Sequence, residues 1–188
     1  MKPRIGIAMT GSFCTFATVL KVLKELKDYE LIPILSFSSA SLDTRFGKAK
    51  DFRRELEGLC GREALETIPQ VEPLGPKKLL DALVIIPCTG NTLGKLANGI
   101  ADSPVTLACK AHLRNQRPVI LAVSTNDGLG GNAENIGKLL NRKHFYFVPF
   151  GQDDPVEKPC SLVAHMDLLP QTLSMALEGK QIQPLLCC

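Results

Sequence analysis

Short apolar runs without polar alternation recur along the chain, and turn-forming residues bound each of them. Runs of this kind are typical of strands that are buried on both faces of a parallel sheet. The pattern predicts five strands, over residues 4–9, 31–36, 82–87, 118–123 and, with a weaker signal, 145–148.

The segments between these runs have the periodicity of amphipathic helices. In the first of them Phe16, Val19, Leu20 and Leu23 recur near a 3.6-residue period, with lysines on the opposite side. The same reasoning predicts helices over 13–27, 43–59, 92–101, 105–115, 132–141 and 165–178.

Strands that alternate with helices indicate βαβ units with right-handed crossovers, and hence helices on both faces of one sheet. The predicted fold class is therefore α/β, a three-layer, doubly wound parallel sheet in one domain over 1–188. Three segments are expected to be irregular: a crossover or flap around 58–76, a surface connection at 151–159 and a loosely held tail at 181–188.

Composition excludes several classes of protein. Of the 188 residues 45% are hydrophobic and 22% are charged, which is typical of a folded globular domain and not of a disordered chain. The net charge of +3 and the aromatic content of 5% do not provide the footprint of a nucleic-acid-binding surface. No apolar stretch approaches the roughly 20 residues of a membrane helix, and the first run is too short for a signal peptide.

Seven cysteines are spread along the chain with no C-x-x-C pair, so the spacing predicts no metal site. An odd number of cysteines without a secretory signal favours reduced thiols in the cytoplasm.

The candidate chemistry lies directly after the predicted strands, because ligands of open parallel sheets bind at the carboxyl ends of the strands. Small hydroxyl, amide and glycine residues follow four strands there: 10–13, 36–41, 88–92 and 124–128. Gly11 allows a tight turn, Ser12 can cap a helix, and the hydroxyls of Ser36, Ser38 and Ser39 can donate hydrogen bonds to phosphate oxygens. One such loop is ordinary turn chemistry, but four at one edge predict a site for a phosphorylated cofactor.

The familiar nucleotide fingerprints are absent from the sequence. There is no G-x-x-x-x-G-K-[ST] motif and no G-x-G-x-x-G after the first strand. The glycines of 128–131 follow the fourth predicted strand and lack the required spacing. A standard dinucleotide-binding unit is therefore not predicted.

The loop after the third strand is the most specific feature. Residues 87–102 (PCTGNTLGKLANGIAD) resemble the Pro-Ala-Ser-Ala-Asn-Thr…Ala-x-Gly-Ile-Ala-Asp signature of the homo-oligomeric flavin-containing cysteine decarboxylase superfamily. Gly11-Ser12 resembles that superfamily's Thr-Gly-Ser turn. Residues 118–126 resemble the strand that leads into its Pro-x-Met-Asn motif, with Asn126 at the Asn. The resemblance covers roughly residues 4–150.

The resemblance implies a flavodoxin-like fold that binds FMN in a homo-oligomer, a trimer or a multiple of it. It implies that Gly11, Ser12, Phe13, Ser36 and Ser38 approach the phosphate. It also implies that Cys88, Thr89, Gly90, Asn91 and Thr92 lie along the flavin, and that Ser124 and Asn126 line the substrate side. Cys88 stands where the superfamily usually has Ala, and a small buried thiol is the alternative interpretation of it.

The chain also departs from the superfamily. Its decarboxylases place a His shortly before the third strand, but residues 67–77 contain none. Leu129 replaces a Met, and the Pro and Trp of the motif near Asn126 are missing. Cysteine decarboxylation is therefore not expected.

The chain as a whole, and residues 131–155 in particular, is similar to one branch of the superfamily, a subunit of an oxidoreductase of sporulating bacteria. That resemblance implies oxidation of a dihydropyridine dicarboxylate to the aromatic dicarboxylate in the mother-cell cytoplasm, with NADP bound by a partner A subunit. Asn126 is the candidate catalytic residue, and the 128–131 backbone, Lys95 and Arg45 are further candidates for holding the substrate carboxylates.

Two alternatives remain open on the sequence. The chain would be either a non-catalytic binding or regulatory partner with a vestigial flavin site, or an enzyme of the prenyl-FMN or phosphopantothenoylcysteine type.

Overall fold

Five parallel strands form the centre of the sheet in the order β2–β1–β3–β4–β5, in a computed structural model that describes residues 2–187. The strands are β1 Arg4–Met9, β2 Glu30–Leu35, β3 Ala82–Cys88, β4 Val119–Thr125 and β5 Phe145–Phe147. Nearly all of their residues are buried, because helices cover both faces of the sheet. This is the flavodoxin-like doubly wound order, so the predicted fold class is confirmed, with strand bounds shifted by one or two residues.

A small antiparallel section was not predicted. The strands β6 Phe150–Gly151 and β7 Leu162–Ala164 pair with each other, and β7 pairs antiparallel with the end of β4. The sheet is therefore not parallel throughout. Strands of two or three residues are too short to show an apolar period, so the sequence carries no signal for them.

Eight α-helices connect and flank the strands: α1 Phe16–Leu23, α2 Phe37–Ser41, α3 Ala49–Cys60, α4 Ile68–Val71, α5 Gly90–Ala97, α6 Pro104–Leu113, α7 Ala133–Leu140 and α8 Leu169–Leu177, counted over the described residues. Helices α1 and α8 both contact β3. A second layer contains α6, which contacts α4 and α5, and α7, which contacts α5. Phe16 packs edge-on against Phe52, with ring centroids 5.1 Å apart, and joins α1 to α3.

Several helix bounds differ from the prediction. The predicted helix over 43–59 begins only at Ala49, where the Asp43 carboxylate accepts a hydrogen bond from the Ala49 amide at 2.9 Å. It ends before Gly61, whose φ of +65° is the left-handed conformation that glycine adopts at no steric cost. The first helix is preceded by a 3₁₀ turn and ends at Leu23 instead of residue 27.

The irregular segments contain more structure than expected. The crossover around 58–76 holds α4 and a 3₁₀ turn, both packed on α6. For the tail, residues 181–187 have defined partners: the Gln181 side chain bonds to both backbone groups of Phe147, at 2.8 and 2.7 Å. The backbone of Phe150 bonds to Leu185 and Cys187, each at 3.1 Å. Cys188 lies outside the described residues.

Within residues 2–187 no helix has both the length and the apolar character that crossing a membrane requires. The same residues hold no group of three or more metal-ligating side chains.

Candidate functional site: two adjacent clefts at the carboxyl edge of the sheet

The loops after β1, β2 and β3 surround a cleft of about 280 Å³, called here the smaller cleft. Hydroxyl, amide and ammonium groups line it together with a few apolar side chains. Its residues are Thr10, Gly11, Phe13, Ser36, Phe37, Ser38, Leu42, Thr89, Asn91, Thr92, Lys95, Ser103 and Val105.

A second cleft of about 730 Å³, the larger cleft, opens on the other side of the β1 loop. It shares Gly11, Phe13 and Thr89 with the smaller cleft, so the two are adjacent. Its other residues are Ser12, Cys14, Thr15, Arg45, Phe46, Gly90, Ser124, Thr125, Asn126, Asp153, Lys158, Ser161 and Val163.

Hydrogen bonds fix the loops that separate the two clefts. The Thr10 hydroxyl donates to the Pro87 carbonyl at 2.7 Å and accepts from the Thr89 amide at 3.1 Å. The hydroxyls of Ser12 and Ser124 are 2.7 Å apart. These bonds join the loops after β1, β3 and β4 to one another.

The N-terminus of α5 lies at the junction of the clefts. The Thr89 hydroxyl caps the helix by accepting from the Thr92 amide at 3.3 Å. The amides of the first helical turn have no acceptor within the helix, and with the positive end of the helix dipole they favour an anion.

Gly90 is required at the start of α5 by close packing. A Cβ at this position would lie 2.5 Å from both the Thr125 hydroxyl and the Asn132 amide. Those side chains belong to a network in which the Asp127 carboxylate accepts from Thr125 at 2.5 Å and from Asn132 at 2.9 and 2.8 Å. The network supports α5 from the loop after β4.

Residues 37–41, part of the predicted loop 36–41, form the short helix α2. Ser36 caps it by accepting from the Ser39 amide at 3.2 Å. The Ser39 hydroxyl is buried and donates to the Met9 carbonyl at 2.8 Å, so its role is structural. Ser38 remains exposed and lines the smaller cleft.

The structure brings eleven of the twelve predicted cofactor residues to one cleft or the other. They are Gly11, Ser12, Phe13, Ser36, Ser38, Thr89, Gly90, Asn91, Thr92, Ser124 and Asn126. The exception is Cys88, which is fully buried in the core and lines neither cleft. Burial raises the pKa of its thiol far above the ordinary range.

The other candidates for binding carboxylates differ in whether they line a cleft. Arg45 lines the larger cleft. Lys95 lines the smaller cleft, but its ammonium contacts both oxygens of Asp102 at 2.9 Å. The glycines of 128–131 line neither cleft, and the amides of Leu129 and Gly130 donate to the carbonyls of Cys160 and Asp127.

Among the residues of the larger cleft that sequence reasoning missed are Asp153, Lys158 and Ser161. They belong to the connection between β6 and β7. The pairing of β7 with β4 places this connection at the end of β4. Only a strand prediction at 162–164 would have placed them there.

The three histidines lie outside both clefts. His112 is buried and donates from Nε2 to the Pro118 carbonyl at 3.0 Å. Burial lowers its pKa from 6.5 to about 4.

The residues of the clefts fit a phosphorylated flavin in their chemistry. The hydroxyls of Ser36 and Ser38 and the first turn of α5 supply donors for a phosphate. The larger cleft combines polar groups with Phe13 and Phe46, which suits a planar ring with polar edges.

Comparison with known proteins shows the family of the chain. The model of the Flavoprotein family matches residues 1–160, and the chain belongs to that family. It is similar to the B subunit of dipicolinate synthase from Bacillus subtilis (strain 168), with 50% identity over 185 residues that cover 97% of this chain and 92% of that protein.

Solved structures give the same result. The crystal structure of the dipicolinate synthase B subunit from Bacillus halodurans superposes with a TM-score of 0.90 and 41% identity, covering 99% of this chain and 96% of that one. A dodecameric FMN-dependent UbiX-like decarboxylase from Escherichia coli O157:H7 has a TM-score of 0.61, with 78% of this chain and 79% of that one covered. Its 22% identity shows a shared fold only.

Proposed function

We propose that this chain acts as the FMN-binding B subunit of a dipicolinate synthase. Together with the A subunit of dipicolinate synthase it would take part in oxidising dihydrodipicolinate to dipicolinate in the mother-cell cytoplasm during sporulation. The observation that carries the proposal is the 50% identity, over nearly the whole of both chains, to the B subunit of a dipicolinate synthase.

The phosphate of FMN would bind in the smaller cleft. Ser36 and Ser38 offer hydroxyls there, and the backbone of Gly11–Phe13 approaches from the loop after β1. The first turn of α5 adds free amides and the positive end of its dipole. Thr89, Gly90, Asn91 and Thr92 would then hold the ribityl chain and the edge of the ring.

The larger cleft would hold the flavin ring and the substrate. Bound FMN would supply two-electron redox chemistry there. Ser124 and Asn126 line this cleft, and Asn126 is exposed, so its amide is available to a substrate. The protein's part in hydride transfer is to bind and orient, which is consistent with clefts that contain no histidine.

The electron acceptor would be NADP on the A subunit. The chain has no dinucleotide fingerprint, whereas the name of its relative implies a second subunit. Division of the site between two proteins would supply what this chain lacks.

A homo-oligomer is part of the proposal. Phe37, Leu42 and Phe46 border the clefts and are 52%, 51% and 46% exposed. Apolar side chains beside a binding site are suited to cover by another subunit. The Escherichia coli protein of the same fold is dodecameric, which is a multiple of a trimer.

The proposal is tested first by FMN binding. Purified protein should quench FMN fluorescence on titration, and saturating FMN should raise the melting temperature, because a ligand of the native state stabilises it. A colourless preparation that neither quenches FMN fluorescence nor gains stability would contradict an FMN-binding subunit.

The second test is reconstitution. Dipicolinate formation should be measured with both subunits, with each omitted, and with and without FMN. Full activity of the A subunit without this chain would refute the proposal. Activity that needs this chain but not FMN would instead support the non-catalytic partner.

A further inference from the structure

The carboxylate of Asp127 accepts hydrogen bonds from two elements at once. Thr125, the last residue of β4, donates its hydroxyl at 2.5 Å. The side-chain amide of Asn132, the residue before α7, donates to the two carboxylate oxygens at 2.9 and 2.8 Å. None of the ion pairs between described residues involves Asp127, so the donors that hold its carboxylate are neutral.

The bond between Thr125 and Asp127 spans Asn126, the candidate catalytic residue. Thr125 and Asp127 are its two neighbours in the chain, so their side-chain bond fixes the start of the turn that carries it. Asn126 is exposed and lines the larger cleft, whereas Asp127 lines neither cleft. The position of a cleft residue therefore depends on a carboxylate that does not reach the cleft surface.

The first residue of α5 packs on the same carboxylate. A Cβ at Gly90 would lie 2.8 Å from the Asp127 oxygen, besides its approach to Thr125 and Asn132 at 2.5 Å. The backbone at Gly90 thus rests directly on all three side chains. Because Gly90 itself lines the larger cleft, a shift of the network would move the first turn of α5 and its free amides.

Loss of the carboxylate would disturb Asn132 most. Its side chain is 7% exposed, and the amide nitrogen would lose both acceptors on Asp127. A nearly buried donor without an acceptor costs free energy, so the side chain would turn toward other partners. Such a turn displaces the start of α5, since Gly90 already contacts Asn132 as closely as packing allows.

We propose that Asp127 is a positioning residue of the cofactor site, which holds Asn126 and the first turn of α5 in place without contacting the ligand. A carboxylate suits this role because it only accepts hydrogen bonds and can serve donors from two elements. Groups that are fixed before binding lose less entropy when the ligand arrives. The identity of that ligand as FMN rests on the proposed function.

The other end of α5 provides a matched control. Arg142 follows α7 and donates to the carbonyls of Leu96 and Ala97, the last residues of α5, at 3.0 and 2.7 Å. These three residues line neither cleft. Arg142 therefore anchors the same helix away from the site, and its loss should lower stability without moving the first turn.

The first test is FMN titration of the full chain, followed by flavin fluorescence. Asp127→Ala should raise the dissociation constant of FMN about 10-fold, the equivalent of one typical hydrogen bond. Asp127→Asn keeps an acceptor for Thr125 and should stay within about 3-fold of the wild type. Arg142→Gln should lower the melting temperature and change the dissociation constant by less than about 2-fold.

Three outcomes of that titration would overturn the proposal. An unchanged constant in Asp127→Ala would show that the site does not need the carboxylate. Tighter binding in Asp127→Ala would show that its charge only repels the phosphate. An equal loss of affinity in Arg142→Gln would show that general destabilisation, and not position, controls binding.

A double variant shows whether Asp127 acts through its neighbour. Thr125→Val removes the donor and leaves the shape of the side chain nearly unchanged. The loss that it causes should already be contained in that of Asp127→Ala, so the double variant should bind FMN about as weakly as Asp127→Ala alone. Losses that multiply would show independent effects and would contradict the assignment.

Hydrogen exchange of the free protein measures position without any ligand. In Asp127→Ala the amides of Thr92 and Leu93, whose bonds close the first turn of α5, should exchange about 10-fold faster. In Arg142→Gln the faster amide should be that of Asn98, at the opposite end. Equal acceleration at both ends in Asp127→Ala would overturn the local role.

The two measurements together keep the two proposals apart. Normal FMN binding in Asp127→Ala would refute the positioning role alone. Faster exchange confined to the first turn of α5, in a protein whose wild type rejects FMN, would refute the flavin and retain the positioning role.

Discussion

The hydroxyl groups of Ser12 and Ser124 lie 2.7 Å apart and join the loop after β1 to the end of β4. The two residues are 112 positions apart in the chain, and both line the larger cleft. Ser124 is 5% exposed, so loss of Ser12 would leave a nearly buried hydroxyl without this partner.

Ser12→Ala and Ser124→Ala should each destabilise the protein by about 1 kcal/mol, the net value of a typical hydrogen bond. Because they share one hydrogen bond, the double variant should lose less than the sum of the two. Urea unfolding of all four proteins gives the coupling energy, expected at about 0.5–1.5 kcal/mol. Additive losses would show that the hydroxyls do not interact.

Gly90→Ala should destabilise the protein by about 1–3 kcal/mol, because the new Cβ would overpack the network of Thr125 and Asn132. FMN binding should weaken in parallel, since the first turn of α5 must move. Gly94→Ala is the matched control: its Cβ would meet the nearest group, the Asn135 amide, at an ordinary 3.5 Å. That variant should gain about 0.5–1 kcal/mol from helix propensity, measured by urea unfolding. A loss in Gly94→Ala as large as that in Gly90→Ala would argue against the packing explanation.

Acid should destabilise the protein through His112. Its pKa is about 4 in the native protein against an ordinary 6.5, so between these values the unfolded chain binds more protons. The contribution is fully present above pH 6.5 and is lost as the pH falls toward 4. The loss is about 3 kcal/mol in the limit.

His112→Gln keeps a side-chain donor for the Pro118 carbonyl and removes the titration. The free energy of unfolding of this variant should fall less steeply than that of the wild type between pH 6.5 and 4. The carboxylates common to both proteins cancel in the difference. Parallel curves would show that His112 is not the group responsible.

Thiol reagents should divide the cysteines by burial. Cys14 and Cys160 are exposed, whereas Cys88 and Cys109 are buried, and burial raises the pKa of Cys109 to about 12. Peptide mapping after brief alkylation should find label on Cys14 and Cys160, and on Cys88 and Cys109 only after unfolding. Rapid labelling of Cys88 in the native protein would contradict its place in the core.

FMN should protect only one of the two exposed thiols. Cys14 lines the larger cleft and Cys160 does not, so Cys160 is an internal control. With free FMN at about ten times its dissociation constant, alkylation of Cys14 should slow by about 10-fold. Equal rates with and without FMN would place the flavin elsewhere.

The apolar runs determined the five parallel strands, because a strand buried on both faces must be apolar at nearly every position. The same logic determined most of the site. In a parallel sheet the carboxyl ends lie at one edge, so the residues after β1, β2, β3 and β4 had to meet there.

Sequence patterns did not predict the features that depend on the direction of one side chain or on a very short element. Cys88 is the last residue of β3, where the pairing with β4 shifts register between Ile85 and Cys88, and its side chain is buried in the core instead of lining a cleft. Helix α2 depends on a single cap by Ser36 over five residues, too few for a periodic pattern.

The tertiary structure alone decided the far side of the larger cleft. Strand β7 has three residues, and their antiparallel pairing with the end of β4 carries Lys158 and Ser161 to Asn126 and Arg45. That pairing depends on backbone hydrogen bonds between segments about 40 residues apart, for which a short sequence window contains no pattern.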